Sequence, residues 1–300
     1  MRITNRGIVN NYMHGMQKNL QNMQKLNTQM NTQKVINKVS DDPYNATKIM
    51  SMQTEVEDIE RFNYNCDEIM GWLDTTDDTL NKVGTINTEI QTLLTSITDV
   101  YSQNEVDAVK KDVTEKIKEL AESLNGTYAG KFMLSGSKID EKPIKVVENP
   151  DGTIKLELNP NIDNGNLKTE VSHGMSMDYN LTINEILGAD GLNTINEVLT
   201  TLNKDPFSVD EVIAVKEKLD KFNKNVLDCR STMGSKSKSI ESIRDNNTAN
   251  IENAKKVISQ IQDADFAEKY IELKTAELAY NASIQVGTKL FQSTILDFIR

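Results

Sequence analysis

The chain has 300 residues, of which 37% are hydrophobic and only 5% aromatic, and it carries 34 Lys and Arg against 45 Asp and Glu. A lean apolar content favours an elongated protein, and a net charge of −11 opposes binding to polyanions, so we expect no nucleic-acid partner. No stretch approaches the roughly 18 consecutive apolar residues of a membrane-spanning helix, and residues 1–9 lack a signal-peptide core, so we expect no membrane partner and no cleaved signal peptide.

The first predicted helix lies within residues 1–40 and has a regular apolar seam. Its apolar residues alternate at spacings of four and three, the heptad rhythm that keeps one side of a helix against a partner helix. Methionine packs adaptably but specifies geometry weakly, which is typical of a helix that orders when its partner arrives. The seam consists of Val9, Met13, Met16, Leu20 and Met23.

A helix start signal follows at Asp42 and Pro43, which we interpret as the N-cap and the first helical residue. Asp41 and Asp42 could form a catalytic carboxylate pair, but capping of the helix dipole explains both with fewer assumptions. Heptad spacing continues to about residue 100, which predicts one helix of roughly 55 residues and about 80 Å. Cys66 and the distant Cys229 fall on apolar seam positions, so we expect buried thiols rather than a disulfide.

The middle of the chain changes character. A further helix is predicted from Val106 to about Asn125, with Tyr128 on the same apolar spacing. Residues 144–147 and 153–158 have β propensity and flank the turn signal Asn-Pro-Asp-Gly at residues 149–152, which predicts a hairpin. Two more short strands are predicted at residues 167–171 and 175–181.

Helical spacing returns at residues 192–202 and again from the capping box formed by Ser208 and Glu211. The final stretch, residues 263–300, has more apolar surface than one partner helix can cover. We therefore expect its seam to be buried against several neighbours. The seam residues of this stretch are Phe266, Tyr270, Leu273, Tyr280, Ile284, Phe291, Leu296 and Phe298.

The predicted fold class is mainly α with a β-rich insertion, a long antiparallel helical bundle or coiled coil formed by both termini around a small β domain in the middle. Residues 1–40 and 264–300 are predicted to form a terminal coiled coil, and residues 41–136 and 190–263 a long helical bundle. Residues 137–189 form the predicted β-rich insertion.

No arrangement of residues indicates catalysis. His14 and His173 are isolated from each other and from metal-ligand partners. The stretch from Gly126 to Phe132 resembles a phosphate-binding loop only superficially, because its glycine spacing is one residue short and Phe132 replaces the required Ser or Thr. We therefore predict no enzyme, no catalytic residue, no cofactor and no metal. An intracellular coiled-coil scaffold remains compatible with the same seams.

Several segments resemble the bacterial flagellin family. The N-terminal half of that family is similar to residues 1–5, 34–43, 72–76 and 78–80. The segment in which the family's chain leaves the helical bundle for the variable region is similar to residues 126–136. Its C-terminal half is similar to residues 230–234, 263–268 and 291–298. Trp72, the Asp-Asp-Pro form of the cap motif and the short insertion resemble the family's hook–filament junction subunits more than the flagellin filament subunit, which stays the alternative.

The resemblance implies an extracellular structural subunit of the bacterial flagellum. It implies type III export without signal cleavage, and self-association in a ring with hook-associated protein 1 and flagellin as neighbours. It further implies that the terminal helices form the inner tube. A flagellar export chaperone is expected to hold the C-terminal helix before assembly.

Overall fold

The computed structural model describes residues 5–97, 103–149, 153–204 and 209–298. The helices in these residues are α1 (Asn5–Thr32), α2 (Pro43–Ser96), α3 (Gln103–Leu124), α4 (Ile183–Leu187), α5 (Gly191–Leu202), α6 (Val209–Gln262) and α7 (Phe266–Phe298). The strands are β1 (Thr127–Tyr128), β2 (Lys131–Phe132), β3 (Ile144–Glu148), β4 (Ile154–Leu158), β5 (Lys168–Ser172) and β6 (Met175–Asp178). The predicted fold class, mainly helical with short antiparallel strands in the middle, is confirmed.

The chain divides into two compact units. Unit 1 comprises residues 1–58 and 250–300, and unit 2 comprises residues 59–249. The sequence places domain boundaries at the helix breaks near residues 40 and 263, whereas the compact division falls inside α2 and α6, each a continuous helix of 54 residues.

Unit 1 contains the pair of α1 and α7, the short segment that follows α1 and the short segment that precedes α7. Residues 33–36 run antiparallel to residues 262–264: the Val35 N–H donates to the Gln262 carbonyl at 2.7 Å, and the Ala264 N–H donates to the Gln33 carbonyl at 2.9 Å. Ile36 is buried beside Ala46 and Ile49 from the first turns of α2. These contacts fix the point at which the first helix and the last helix begin to run side by side.

Unit 2 has one continuous hydrophobic core built from its parts of α2 and α6, from α3, α4 and α5, and from buried side chains of β3, β4 and β5. Leu80, Ile117, Leu120, Val226 and Ile240 in this core are completely or almost completely buried. Apolar side chains at helical spacing supply it, as the seams predict. Cys66 and Cys229 are both buried and free, which confirms the expectation of thiols rather than a disulfide.

Within the described ranges, the strands pair as three separate antiparallel hairpins. The predicted hairpin of residues 144–147 and 153–158 is confirmed by the pairing of β3 with β4, and the two later strands pair as β5 and β6. The β1–β2 hairpin was not predicted. Its turn holds Ala129 at φ 48° and Gly130 at φ 81°, the left-handed pair of a tight two-residue turn. Tyr128 is thus in a strand rather than on α3, and strands begin before residue 137.

The helix α6 continues through residues 246–250, where the apolar spacing loses its register. Asn247 in this stretch is only 3% exposed, and its side-chain amide donates to the Val171 carbonyl at 2.9 Å. A polar residue therefore occupies the buried position because it satisfies a backbone oxygen of β5. The predicted cap residue Ser208 and the turn at residues 150–152 lie outside the described residues.

Candidate assembly interface

The segment before α2 is held by two carboxylates with different partners. Asp42 lies next to Pro43, the first residue of α2, and its Oδ1 accepts from the Asn45 N–H at 3.1 Å, the geometry of an N-cap. Asp41 instead accepts from the N–H groups of Asn37 and Lys38, at 3.2 and 3.0 Å, and so holds the preceding turn rather than the helix dipole. Backbone donors lower the pKa of both carboxyls.

A third carboxylate begins α7. Asp265 Oδ1 accepts from the N–H groups of Ala267 and Glu268, at 2.9 and 3.2 Å. Sequence reasoning missed this cap, although an Asp followed three residues later by a Glu at the start of a helical pattern is its usual signal. The cap fixes the first turn of α7 immediately after the pairing of residues 33–36 with residues 262–264.

The helices α1 and α7 pack against each other through residues that sequence reasoning partly missed. The Tyr12 hydroxyl donates to the Ser283 carbonyl at 2.8 Å, and the Asn19 amide lies 3.3 Å from Ser283 Oγ. Leu26, one heptad beyond Asn19, is buried at 6% exposure. The face that α7 turns toward α1 is mostly small, since it carries Ser283 and the buried Gly287.

The predicted seam residues divide between this contact and the surface. Half-buried positions are Val9, Met16, Met23, Leu273 and Tyr280. Exposed positions are Met13, Leu20, Phe266, Tyr270 and Ile284. Phe291, Leu296 and Phe298 lie on α7, and their side chains are outside the described part of the chain.

An outer apolar face of α7 stays exposed beside the α1 contact. Ile271, Leu278 and Val286 are 65%, 71% and 55% exposed. Their spacing of seven and eight residues places them along one side of the helix. We call these three residues the outer face of α7.

A shallow groove also runs between α1 and α7. Its apolar lining residues are Leu26, Ala276, Ala279 and Ile271 of the outer face, and Asn19 and Asn22 are among its polar residues. Small residues in such a groove permit close approach of a further helix, since they leave the backbone accessible.

Charge is distributed unevenly between the two units. Unit 1 carries 13 Lys and Arg against 12 Asp and Glu, whereas unit 2 carries 21 against 33. The net charge is therefore +1 for unit 1 and −12 for unit 2, so unit 2 carries all of the net negative charge. Copies of a nearly neutral surface can approach one another closely, while a strongly acidic surface repels its own kind and favours solubility.

The described residues contain no group of three or more His, Cys, Asp or Glu side chains that could hold a metal ion. None of the helices, within the ranges that the structure describes, is long and apolar enough to cross a membrane.

Comparisons with known proteins agree with this architecture. The sequence matches the bacterial flagellin N-terminal helical region over residues 3–139 and the bacterial flagellin C-terminal helical region over residues 217–299. Together the two matches cover well over half of the chain. A search of curated proteins gives no match.

Solved structures that share the fold include three flagellar proteins. A protein described as a flagellar hook-associated protein from Vibrio parahaemolyticus superposes with a TM-score of 0.66 at 19% identity, over 74% of this chain and 100% of that chain. Flagellar hook-associated protein 3 from Legionella pneumophila superposes with a TM-score of 0.60 at 11% identity, over 71% of this chain and 98% of that chain. FlgL from Bacillus cereus superposes with a TM-score of 0.56 at 15% identity, over 70% of this chain and 99% of that chain.

Proposed function

This chain belongs to the flagellin family, and from that premise we propose that it is a structural subunit of the bacterial flagellum at the junction between hook and filament. Its neighbours there are hook-associated protein 1 on one side and flagellin on the other. The protein acts outside the cell after type III export. The fold shared with hook-associated proteins supports this choice within the family.

The observation that carries the proposal is the outer face of α7. Three large apolar side chains lie exposed along one side of a helix whose other side already packs on α1. Aligned apolar exposure of this kind marks an interaction surface. In a ring or tube built from repeated head-to-tail contacts, one helix meets neighbours on more than one side, which would cover both faces.

The charge distribution also supports assembly through unit 1. The nearly neutral unit 1 carries α1 and α7, the helices that would pack closely in the inner tube, and the acidic unit 2 carries the hairpins. Self-association in a ring would therefore occur through unit 1, where repulsion between copies is small.

Before assembly, when no neighbouring subunit is present, the apolar outer face of α7 would be buried by a different protein. An export chaperone bound to α7 would bury Ile271, Leu278 and Val286 and release them when a neighbouring subunit arrives. Such exchange is compatible with side chains that are exposed in the isolated chain.

A charge placed on the outer face tests the proposal. Leu278→Asp should leave the protein folded, because the side chain is 71% exposed, but should abolish swimming and filament growth in a cell whose own junction subunit is deleted. Leu227→Asp on α6 is the matched control, since Leu227 is 55% exposed in unit 2. Immunogold labelling should place the wild type at the hook–filament boundary and show no Leu278→Asp protein there.

Two outcomes contradict the proposal. Full swimming by cells that carry Leu278→Asp would show that the outer face of α7 takes no part in assembly. Growth of long filaments by the purified protein alone at neutral pH would instead favour a flagellin filament subunit, and confinement of the protein to the cytoplasm would favour a scaffold.

A further inference from the structure

The pair of α1 and α7 contains one unusual contact between two residues that are each unique on their helix. Tyr12 is the one aromatic residue in the sequence of α1, and Gly287 is the one glycine in the sequence of α7. A Cβ atom added to Gly287 would overlap the Tyr12 hydroxyl and would lie 2.5 Å from Cζ and 3.0 Å from Cε1 of the ring. The tyrosine therefore occupies the space that any other residue at position 287 would fill.

A hydrogen bond fixes the ring in that space. The Tyr12 hydroxyl donates to the Ser283 carbonyl at 2.8 Å, one helical turn before Gly287. In an α-helix this carbonyl also faces the N–H of residue 287. The hydroxyl thus lies over a single helical turn that is open only because glycine has no side chain. Glycine disfavours the helix relative to alanine, so its presence in the interior of α7 indicates a packing requirement.

Heptad spacing by itself does not determine how far α1 slides along α7. The seam repeats every seven residues, so a shift of one heptad again aligns apolar positions. In one such shift, Tyr12 would meet Tyr280 instead of Gly287, and two bulky rings would compete for one space. A unique bulky residue facing a unique small residue distinguishes the observed alignment from its neighbours.

We propose that Tyr12 and Gly287 form a register lock that holds the axial position of α1 on α7 at the end of the pair that lies far from residues 33–36 and 262–264. The lock fixes which side chains border the groove at Leu26 and Ala276, and therefore what surface the pair offers to the next helix. The consequence for assembly rests on the function proposed above. The register itself is a property of the isolated chain and can be measured without it.

A disulfide trap measures the register directly. Asn19 Nδ2 lies 3.3 Å from Ser283 Oγ, so these two positions face each other across the helix pair. The full-length protein with Asn19→Cys and Ser283→Cys should therefore form a disulfide within the molecule under mild oxidation. Cys66 and Cys229 are buried and stay in place, and the two single-cysteine variants control for them. The rate of crosslinking then reports how often α1 occupies the observed register.

Adding Gly287→Ala should slow this crosslinking at least tenfold, although alanine is the better helix former. Combining Gly287→Ala with Tyr12→Ala should recover at least half of the loss, because the shortened residue 12 vacates the space that the new methyl group needs. Gly15→Ala is the matched control in α1, where an added Cβ meets nothing within 4 Å, and it should change the rate less than twofold. An unchanged rate in Gly287→Ala, or no recovery in the combined variant, would overturn the lock.

The same variants separate the lock from the proposed function. If the crosslinking rates behave as expected and Gly287→Ala also loses swimming that the combined variant regains, both inferences stand. If the crosslinking rates behave as expected while Gly287→Ala swims normally in the cell lacking its junction subunit, the lock stands and the assembly role of the α1–α7 pair is wrong.

Discussion

Arg230 on α6 and Asp77 on α2 form a bidentate ion pair, in which Arg230 Nε and Nη2 donate to the two carboxylate oxygens of Asp77 at 2.9 and 3.1 Å. The third guanidinium nitrogen, Nη1, donates to Asn81 Oδ1 at 2.9 Å. Asp77 lies between two segments that resemble the flagellin family, at residues 72–76 and 78–80, and Arg230 begins a third. The structure therefore joins, through one planar side chain, parts of the sequence that lie about 150 residues apart.

Replacing this arginine should weaken unit 2. Arg230→Lys keeps the charge but loses the fork that bonds two oxygens at once, so we expect a loss of about 1 kcal/mol in the free energy of unfolding, discounted for partial solvent exposure. Arg244→Lys is the control, since Arg244 contacts Asp67 through one nitrogen at 3.3 Å and Asp245 through another at 3.8 Å, without a fork onto one carboxylate. Urea titrations should show the larger shift for Arg230→Lys. Equal shifts would mean that the forked geometry contributes nothing beyond its charge.

The edges of the β3–β4 hairpin should be sensitive to two asparagines. Asn196 Oδ1 accepts from the Leu156 N–H at 2.8 Å and its amide donates to the Leu156 carbonyl at 2.9 Å, and Asn125 bonds Ile144 in the same two-sided way. Each asparagine side chain bonds the backbone N–H and C=O groups that a further strand would otherwise pair with. It therefore protects the exposed edge of the hairpin from pairing with another chain.

Asn196→Asp removes the donor and places a negative charge against the Leu156 carbonyl, so we expect a loss of about 1–3 kcal/mol of stability. Asn193→Asp, on an exposed position of the same helix, should change stability by less than about 0.5 kcal/mol. Thermal unfolding followed by circular dichroism compares the two. A loss in Asn193→Asp as large as that in Asn196→Asp would attribute the effect to charge alone.

Heptad spacing predicted that α1 and α7 are helices, but only part of the predicted seam lies in the contact between the two helices. The predicted and observed faces share Val9, Met16 and Met23 on α1 and Leu273 and Tyr280 on α7. The remaining predicted positions were those with large apolar side chains. The observed contact also uses Tyr12, Asn19 and Ser283, each one position before a predicted seam residue. Gly287 lies on the same heptad position as Leu273 and Tyr280.

The physical reason is that close packing of two helices depends on shape as well as hydrophobicity. A small residue on one helix admits a large one from the other, and neither serine nor glycine counts as apolar in a pattern search. The β3–β4 hairpin was easier to predict, because its Asn-Pro-Asp-Gly signal and β propensity are local. The pair of Arg230 and Asp77 was not predictable, since no local pattern relates residues so far apart.

The hydroxyl of Tyr12 should contribute a modest part of the α1–α7 contact. Tyr12→Phe keeps the ring over Gly287 but loses the hydrogen bond to the Ser283 carbonyl, so the helix pair should lose about 1 kcal/mol. Hydrogen exchange at the backbone amides of α1 measures this as faster opening of unit 1. Tyr12→Ala should accelerate exchange considerably more, because it also removes the ring. Equal effects of the two substitutions would assign the whole contribution to the hydrogen bond.

Acid should loosen the turn before α2 through Asp41. Two backbone N–H donors, with Lys25 at 3.6 Å, lower the pKa of this carboxyl below its ordinary value of 3.8. A pKa that is lower in the folded state stabilises the fold fully above the unfolded pKa, and the stabilisation is lost as pH falls through the folded value. Asp41→Asn should therefore speed hydrogen exchange at the amides of Asn37 and Lys38 at pH 7.

As pH falls below 3.8 and through the lowered pKa of Asp41, protonation removes the carboxylate of the wild type, and the exchange rates of wild type and Asp41→Asn should converge. Asp74→Asn, at an exposed position of α2, should leave exchange at Lys38 unchanged at either pH, because it lies far along the helix from the turn. A difference between wild type and Asp41→Asn that persists undiminished in acid would show that the shape of the side chain, rather than its charge, holds the turn.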